Sequence, residues 1–243
     1  MFEKRITEQK SEQKNLITLV DPSSAISEEF RTLRTNIQFS MIDKELKTLM
    51  VTSSKQGEGK STIAANLAVV FASQGKKVLL VDADMRKPSL HKLFKVRNQQ
   101  GLTSILTTNN RQLTNLLHKT NQENLDLLTS GILPPNPSEL LASQRMSQFI
   151  ETVKQEYDLI IFDMPPVNAV TDAQVIGNKA DGTVFVIRKD IADLSEVLKA
   201  KELLDLVQAN VIGAVFNNKE RTKGINAGYY AKEKDLDSGE KNY

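Results

Sequence analysis

The run Gly57-Glu58-Gly59-Lys60-Ser61-Thr62 places two glycines, an amine and two hydroxyls in six consecutive positions. Glycines let a backbone curl so that successive N–H groups converge on phosphate oxygens. A helix starting behind them adds the positive end of its dipole. Lys60 would then reach the outer phosphates of a nucleoside triphosphate, and the Ser61 hydroxyl would ligate Mg²⁺. Two further acidic signals follow apolar runs. Val78-Leu79-Leu80-Val81 leads into Asp82-Ala83-Asp84-Met85-Arg86, and Leu159-Ile160-Ile161-Phe162 leads into Asp163. A carboxylate at the end of a buried strand needs a cation or a donor beside it, and a metal-bound triphosphate supplies that need.

Such a loop works only between a strand and a helix. Thr48 to Ser53 reads as the strand, and Ile63, Leu67, Val70 and Phe71 mark one helix face ending at Gly75. Further strands are expected at Val78–Val81, Leu125–Thr129, Leu159–Phe162, Val184–Ile187 and Val211–Phe216. Helices are expected over Ser27–Phe39, around Glu139–Val153 after a proline-rich loop, and around Leu194–Val207. This alternation predicts an α/β fold like that of P-loop NTPases, a mostly parallel sheet with helices on both faces. Ligands then bind at the carboxyl ends of the strands, where both acidic signals fall. Asp82 and Asp84, two apart, would point the same way on an extended backbone. Alternatively, one of them caps a helix or pairs with Arg86.

Three segments are predicted: a polar N-terminal arm (1–25), a phosphate-binding P-loop domain (26–218, opening with a helix at 26–39) and a mobile tail (219–243) bearing tyrosines. The tail's side chains sum to +1, from six basic and five acidic residues. Of four tyrosines, Tyr229, Tyr230 and Tyr243 all lie in the last fifteen residues. A polar tail offers no core for such rings, so phosphate acceptance would account for them; incidental tyrosines are the bland alternative.

Composition narrows the function. The chain has 243 residues, 40% hydrophobic and 26% charged, enough for a sizeable core. The net charge of +2, with 5% aromatics and no Trp, gives no encouragement to nucleic-acid binding. Zero Cys excludes disulfides, thiolate metal sites and an iron–sulfur scaffold. No signal peptide is expected in Met1–Asn15, and no apolar run nears the roughly 20 residues that span a bilayer.

TSSKQGEGKST (52–62), LLVDADMRKP (79–88), GILPPNPSELL (131–141) and LIIFDMPPVNAVTDA (159–173) resemble the bacterial tyrosine kinase family, of the capsular or exopolysaccharide CpsD/CapB type. The resemblance covers about residues 20 to 220. It implies an ATP- and Mg²⁺-dependent protein-tyrosine kinase that phosphorylates its own tail in trans. Asp82 would be the base for the tyrosine hydroxyl, and Asp84 and Asp163 would hold Mg²⁺. Asn217 would sit where related ATPases contact adenine, or be only a turn residue. Glu28-x-x-Arg31-x-x-Arg34 matches the family's ring motif; a solvated helix face is the alternative. The ring would be a homo-oligomer, an octamer among its candidate sizes. The resemblance further implies a separate transmembrane activator of polysaccharide co-polymerase type, a cognate phosphotyrosine phosphatase, and a cytoplasmic site at the inner face of the membrane. Ser54 stands where the strict phosphate-loop pattern has glycine, and Lys55 resembles the extra lysine of MinD/ParA ATPases, which acts across a dimer. A positioning ATPase of that type is therefore the competing function, although the tail lacks the apolar stripe of a membrane-binding helix.

Overall fold

The computed structural model describes residues 16–42, 44–108 and 112–217. Seven strands form one sheet: β1 (Thr48–Ser53), β2 (Val78–Asp82), β3 (His118–Lys119), β4 (Leu125–Leu128), β5 (Leu159–Asp163), β6 (Gly182–Arg188) and β7 (Val211–Asn217). Their order is β3-β4-β2-β5-β1-β6-β7, parallel except for the short β3–β4 pair. The α/β reading is thus correct.

Alternation along each strand builds two cores. Leu49, Val51, Leu80 and Ile161 face a layer formed by α1 (Ile17–Val20), α2 (Ala25–Ser40), α3 (Lys60–Ala72) and α4 (Leu90–Leu93). Met50, Leu79, Val81, Ile160 and Phe162 face α5 (Leu102–Thr107), α6 (Pro137–Ala142), α7 (Gln144–Glu156), α8 (Asp172–Gly177) and α9 (Leu194–Leu206). Burial on both faces explains the unbroken apolar runs. α3 is apolar nearly all round because it lies between the sheet and α2.

Two expectations need correction. The single helix around Glu139–Val153 is two helices, α6 and α7, broken at Ser143. Ser143 has an extended backbone, donates its hydroxyl to the Leu140 carbonyl at 2.6 Å and accepts the Met146 N–H at 3.3 Å. It ends one helix and caps the next, a role short polar side chains favour. The polar arm also stops short of residue 25. Leu16 is buried, and Thr18 donates its N–H (3.0 Å) and hydroxyl (2.8 Å) to Asn66 Oδ1 on α3. The Asn66 amide donates in turn to the Thr62 carbonyl at 2.8 Å. A segment polar in composition thus docks beside the helix that carries Lys60.

Among the described residues, no helix is long and apolar enough to cross a membrane.

Candidate active site

The strands that carry chemistry, β2, β5 and β1, are neighbours in the middle of the sheet. Asp82 pairs in register with Asp163, and Asp163 with Val51, two residues before β1 ends. Both acidic loops and the glycine loop therefore open on the same edge.

The glycine loop joins β1 to α3. Gly57 and Gly59 both hold left-handed φ, +89° and +91°. At Gly59 a Cβ would lie 2.2 Å from Asn217 Nδ2, so the position lacks both the conformation and the room for a side chain. Asn217, at the end of β7, donates to the Glu58 carbonyl at 2.9 Å. The fully buried Glu58 carboxylate accepts the Ser54 hydroxyl at 3.0 and 3.1 Å and the Lys55 N–H at 2.9 Å. Ser54, the departure from strict glycine spacing, thus braces the loop from within through Glu58. Sequence reasoning missed that brace, though Ser54 four residues before a Glu is a readable signal.

Lys60 points from the first turn of α3 into the acidic edge. Its Nζ is 3.0 Å from Asp84 Oδ2, 3.7 Å from Asp163 Oδ1 and 3.5 Å from Ser61 Oγ. Burial pulls its pKa down, but the charges of Asp163 and Asp84 outweigh burial and the net shift is upward. The ammonium is therefore firmly charged.

Each Asp of the DAD run uses one oxygen to pin its own loop. Asp84 Oδ1 accepts the N–H groups of Arg86 (3.3 Å) and Lys87 (2.9 Å), leaving Oδ2 to Lys60. Asp82 Oδ2 accepts those of Ser89 and Leu90, both at 3.0 Å, at the start of α4. Asp82 Oδ1 is buried and takes no hydrogen bond. The capping alternative therefore holds for Asp82, and it leaves one oxygen free for chemistry. Burial, then the charge of Asp163, pushes the Asp82 pKa up to about 8.

Asp163 is wholly buried, and neither carboxylate oxygen accepts a hydrogen bond. Its pKa is raised by burial against the opposing pull of Lys60. Buried carboxylate oxygens that accept no hydrogen bond are costly, and the ion pair of Oδ1 with Lys60 at 3.7 Å leaves Oδ2 without a partner of its own. They fit a divalent cation whose other positions come from a hydroxyl, phosphates and water, the usual way Mg²⁺ is held. Among the described residues no three His, Asp or Glu side chains form a protein-only cage, so any such ion would depend on the nucleotide.

Arg86 does not pair with Asp82 or Asp84. Its Nε and Nη2 lie 3.0 Å from the two oxygens of Asp172, a buried carboxylate at the start of α8. Lys55 turns away from the acidic edge toward the start of α9, with Nζ 2.9 Å from Asp193 Oδ2 and 3.8 Å from Glu196 Oε1. Thr62 stays in the first turn of α3, where its carbonyl takes the Asn66 amide.

Glu28, Arg31 and Arg34 lie on α2. Glu28 is exposed and pairs with Arg31, which also donates to the Pro22 carbonyl. Arg34 is half-buried and donates to the Val70 carbonyl of α3 at 2.8 Å, so it leaves the solvated arc expected for all three. Tyr229, Tyr230 and Tyr243 lie outside the described residues. The fourth tyrosine, Tyr157, is sealed: its hydroxyl donates to Asp126 at 2.7 Å and Lys77 lies over its ring.

The family model described as an AAA domain matches residues 46–209. The chain is 48% identical over 218 residues to the tyrosine-protein kinase YwqD of Bacillus subtilis, covering 90% of this chain and 92% of that protein. The crystal structure of the chimerical protein CapA2B2 matches with a TM-score of 0.80 and 43% identity, over 84% of this chain and 89% of that one. The septum site-determining protein MinD of Pyrococcus horikoshii, complexed with Mg-ADP, shares the fold at a TM-score of 0.61 and 24% identity, over 73% and 72% of the two chains.

Proposed function

The chain belongs to the bacterial protein-tyrosine kinases built on an AAA-type domain, and from that premise we propose how its own residues transfer phosphate and to what. The observation that carries the reading is the set of buried oxygens that accept no hydrogen bond, Asp82 Oδ1 and both of Asp163, at the edge where Ser61 and Lys60, 3.7 Å from Asp163 Oδ1, project.

The backbone N–H groups of Gly57 to Ser61 and the start of α3 receive the phosphates of ATP. Lys60 exchanges part of its contact with Asp84 for phosphate oxygens. Ser61, Asp84 and Asp163 would hold Mg²⁺, whose chemistry when bound is to neutralise charge on the transferred group. Asp82 Oδ1 accepts the phenol proton, with Oδ2 fixed by Ser89 and Leu90 so that the free oxygen does not rotate away. Burial and the charge of Asp163 raise the proton affinity of Asp82 above that of an ordinary carboxylate, which suits it to accept a proton. Asn217 steadies the loop beneath the nucleotide through the Glu58 carbonyl.

The acceptors are Tyr229, Tyr230 and Tyr243 of a second copy; Tyr157 is too well buried to serve. Each phosphate adds about −1.5 to −2 charge. That inverts the sign of a tail whose side chains sum to +1, and Asp82, Asp84 and Asp163 would then repel it. Copies assemble through Glu28 and Arg31. By family membership the chain works at the inner face of the membrane with a separate transmembrane activator, in capsular or exopolysaccharide production, and a phosphatase resets the tail.

Incubation of the purified chain with Mg-ATP, followed by mass spectrometry, tests this. Phosphate is expected on Tyr229, Tyr230 or Tyr243 and absent from Lys60→Met. ATP hydrolysis without phosphotyrosine would reject the kinase reading in favour of a positioning ATPase.

A further inference from the structure

We infer that Arg86 and Asp172 form a positioning pair that fixes the loop carrying Asp82 and Asp84 against the loop that follows Asp163. This deepens the proposed phosphotransfer and rests on Asp82 being its base. Arg86 lies within the segment pinned by Asp84, and Asp172 opens α8, nine residues beyond Asp163. Their two parallel contacts, both 3.0 Å, make a fork-to-fork pair. Such geometry fixes orientation as well as distance. The Asp172 side chain is fully buried, whereas that of Arg86 is 38% exposed. A surface pair contributes little; here the carboxylate has no solvent to fall back on. Directly beneath, the Ala83 N–H donates to the Asp163 carbonyl at 3.0 Å, the last backbone link between the two strands. Beyond that link the chains diverge, and among the described residues the Arg86–Asp172 pair is the side-chain ion pair that rejoins them.

The glycine loop has a brace of its own in Ser54, Glu58 and Asn217, and it meets the Asp82–Asp84 loop through Lys60 Nζ on Asp84 Oδ2 at 3.0 Å and Lys87 Nζ on Gln56 Oε1 at 2.7 Å. Loss of the Arg86–Asp172 pair leaves that brace and those contacts their partners, so it bears first on the aim of the base. Arg86 has two nitrogens committed to Asp172, so it acts through Asp82 and Asp84 rather than as a charge on the phosphates.

The test uses the full chain, with Arg86→Lys and the double variant Arg86→Gln, Asp172→Asn. Lysine keeps the charge but not the fork; the double variant keeps a neutral hydrogen-bonding pair and leaves no buried charge alone. Fluorescent-nucleotide affinity, steady-state tyrosine phosphorylation and circular-dichroism melting are measured on each. Affinity for Mg-ATP and its KM are expected to stay within about two-fold of wild type. The kcat for tyrosine transfer is expected to fall about 10- to 100-fold, the usual consequence of a misplaced reacting group. Wild-type kcat in either folded variant, or a kcat loss matched by an equal loss of nucleotide affinity, overturns the inference. If Arg86→Lys fails to fold, the double variant decides. A wild-type chain that makes no phosphotyrosine takes down the kinase reading and this inference with it. A wild-type chain that makes it at the same rate as the folded variants takes down the inference alone.

Discussion

Asp82 commits one oxygen to the Ser89 and Leu90 N–H groups and leaves the other, the proposed proton acceptor, without a hydrogen bond, which makes the choice of substitution matter. Asp82→Asn retains an oxygen for the Ser89 and Leu90 N–H groups. We expect it to keep nucleotide affinity while tyrosine transfer falls about 10²- to 10⁴-fold, the range for losing a general base. Asp82→Ala frees both N–H groups as well, so its melting temperature should drop below that of Asp82→Asn by an amount corresponding to about 1–3 kcal/mol. Calorimetry beside a phosphotransfer assay separates the two. Acidity gives a second handle. The folded-state pKa of Asp82, about 8, lies above its ordinary value of 3.8. The folded chain therefore binds the extra proton, and that stabilisation is complete below 3.8 and lost as pH rises through about 8. Melting of the nucleotide-free chain in chelator should fall between about pH 4 and 8 and level off above that, and Asp82→Asn should flatten the slope. An unchanged slope would place the titration elsewhere.

At the scale of elements, the α6–α7 break falls where the apolar period changes phase. Leu141, Met146, Phe149, Ile150 and Val153 are all buried, and the last four suit one helix face, from which Leu141 would lie about 130° away on an unbroken helix. The local competition is settled at Ser143, whose side chain can both accept and donate. Ser143→Ala should cost about 1 kcal/mol through the lost cap, seen as a lowered urea midpoint. Unaltered stability would mean the break is held by packing instead. The strands, by contrast, were readable except for the two-residue β3, which was not foreseen, and for β6, which extends from Gly182 to Arg188 where Val184–Ile187 was expected. β1 is Thr48–Ser53 as predicted, and β2 and β5 gain only the terminal Asp. Fully buried parallel strands announce themselves as unbroken apolar runs. The short helices α1, α4, α5 and α8 were not foreseen, because four to six residues are too few to establish a 3.6-residue period.

For the whole molecule, the proposed assembly turns on α2. Arg34 ties α2 to α3 through the Val70 carbonyl, so removing it perturbs the protomer as well as any contact between protomers. Glu28→Ala with Arg31→Ala is the cleaner test. Sedimentation velocity should show a ring reduced to smaller species, with protomer melting changed by no more than about 0.5 kcal/mol, as for exposed positions. An unaltered sedimentation coefficient would remove these two residues from the interface.

The amino-acid sequence by itself determined the parallel α/β sheet, the glycine-bearing loop between β1 and α3 and the placement of Lys60, Asp82, Asp84 and Asp163 at one edge. Those features depend on local period, on glycine spacing and on the rule that parallel strands present the same end. Only the tertiary structure decided which oxygen of Asp82 is free, that Arg86 reaches Asp172 rather than a nearer aspartate, that Ser54 serves Glu58, and that Lys55 turns to Asp193. These are choices among several charged partners of comparable chemistry. They are settled by side-chain reach and burial across segments as much as 138 residues apart, which no spacing along the chain records.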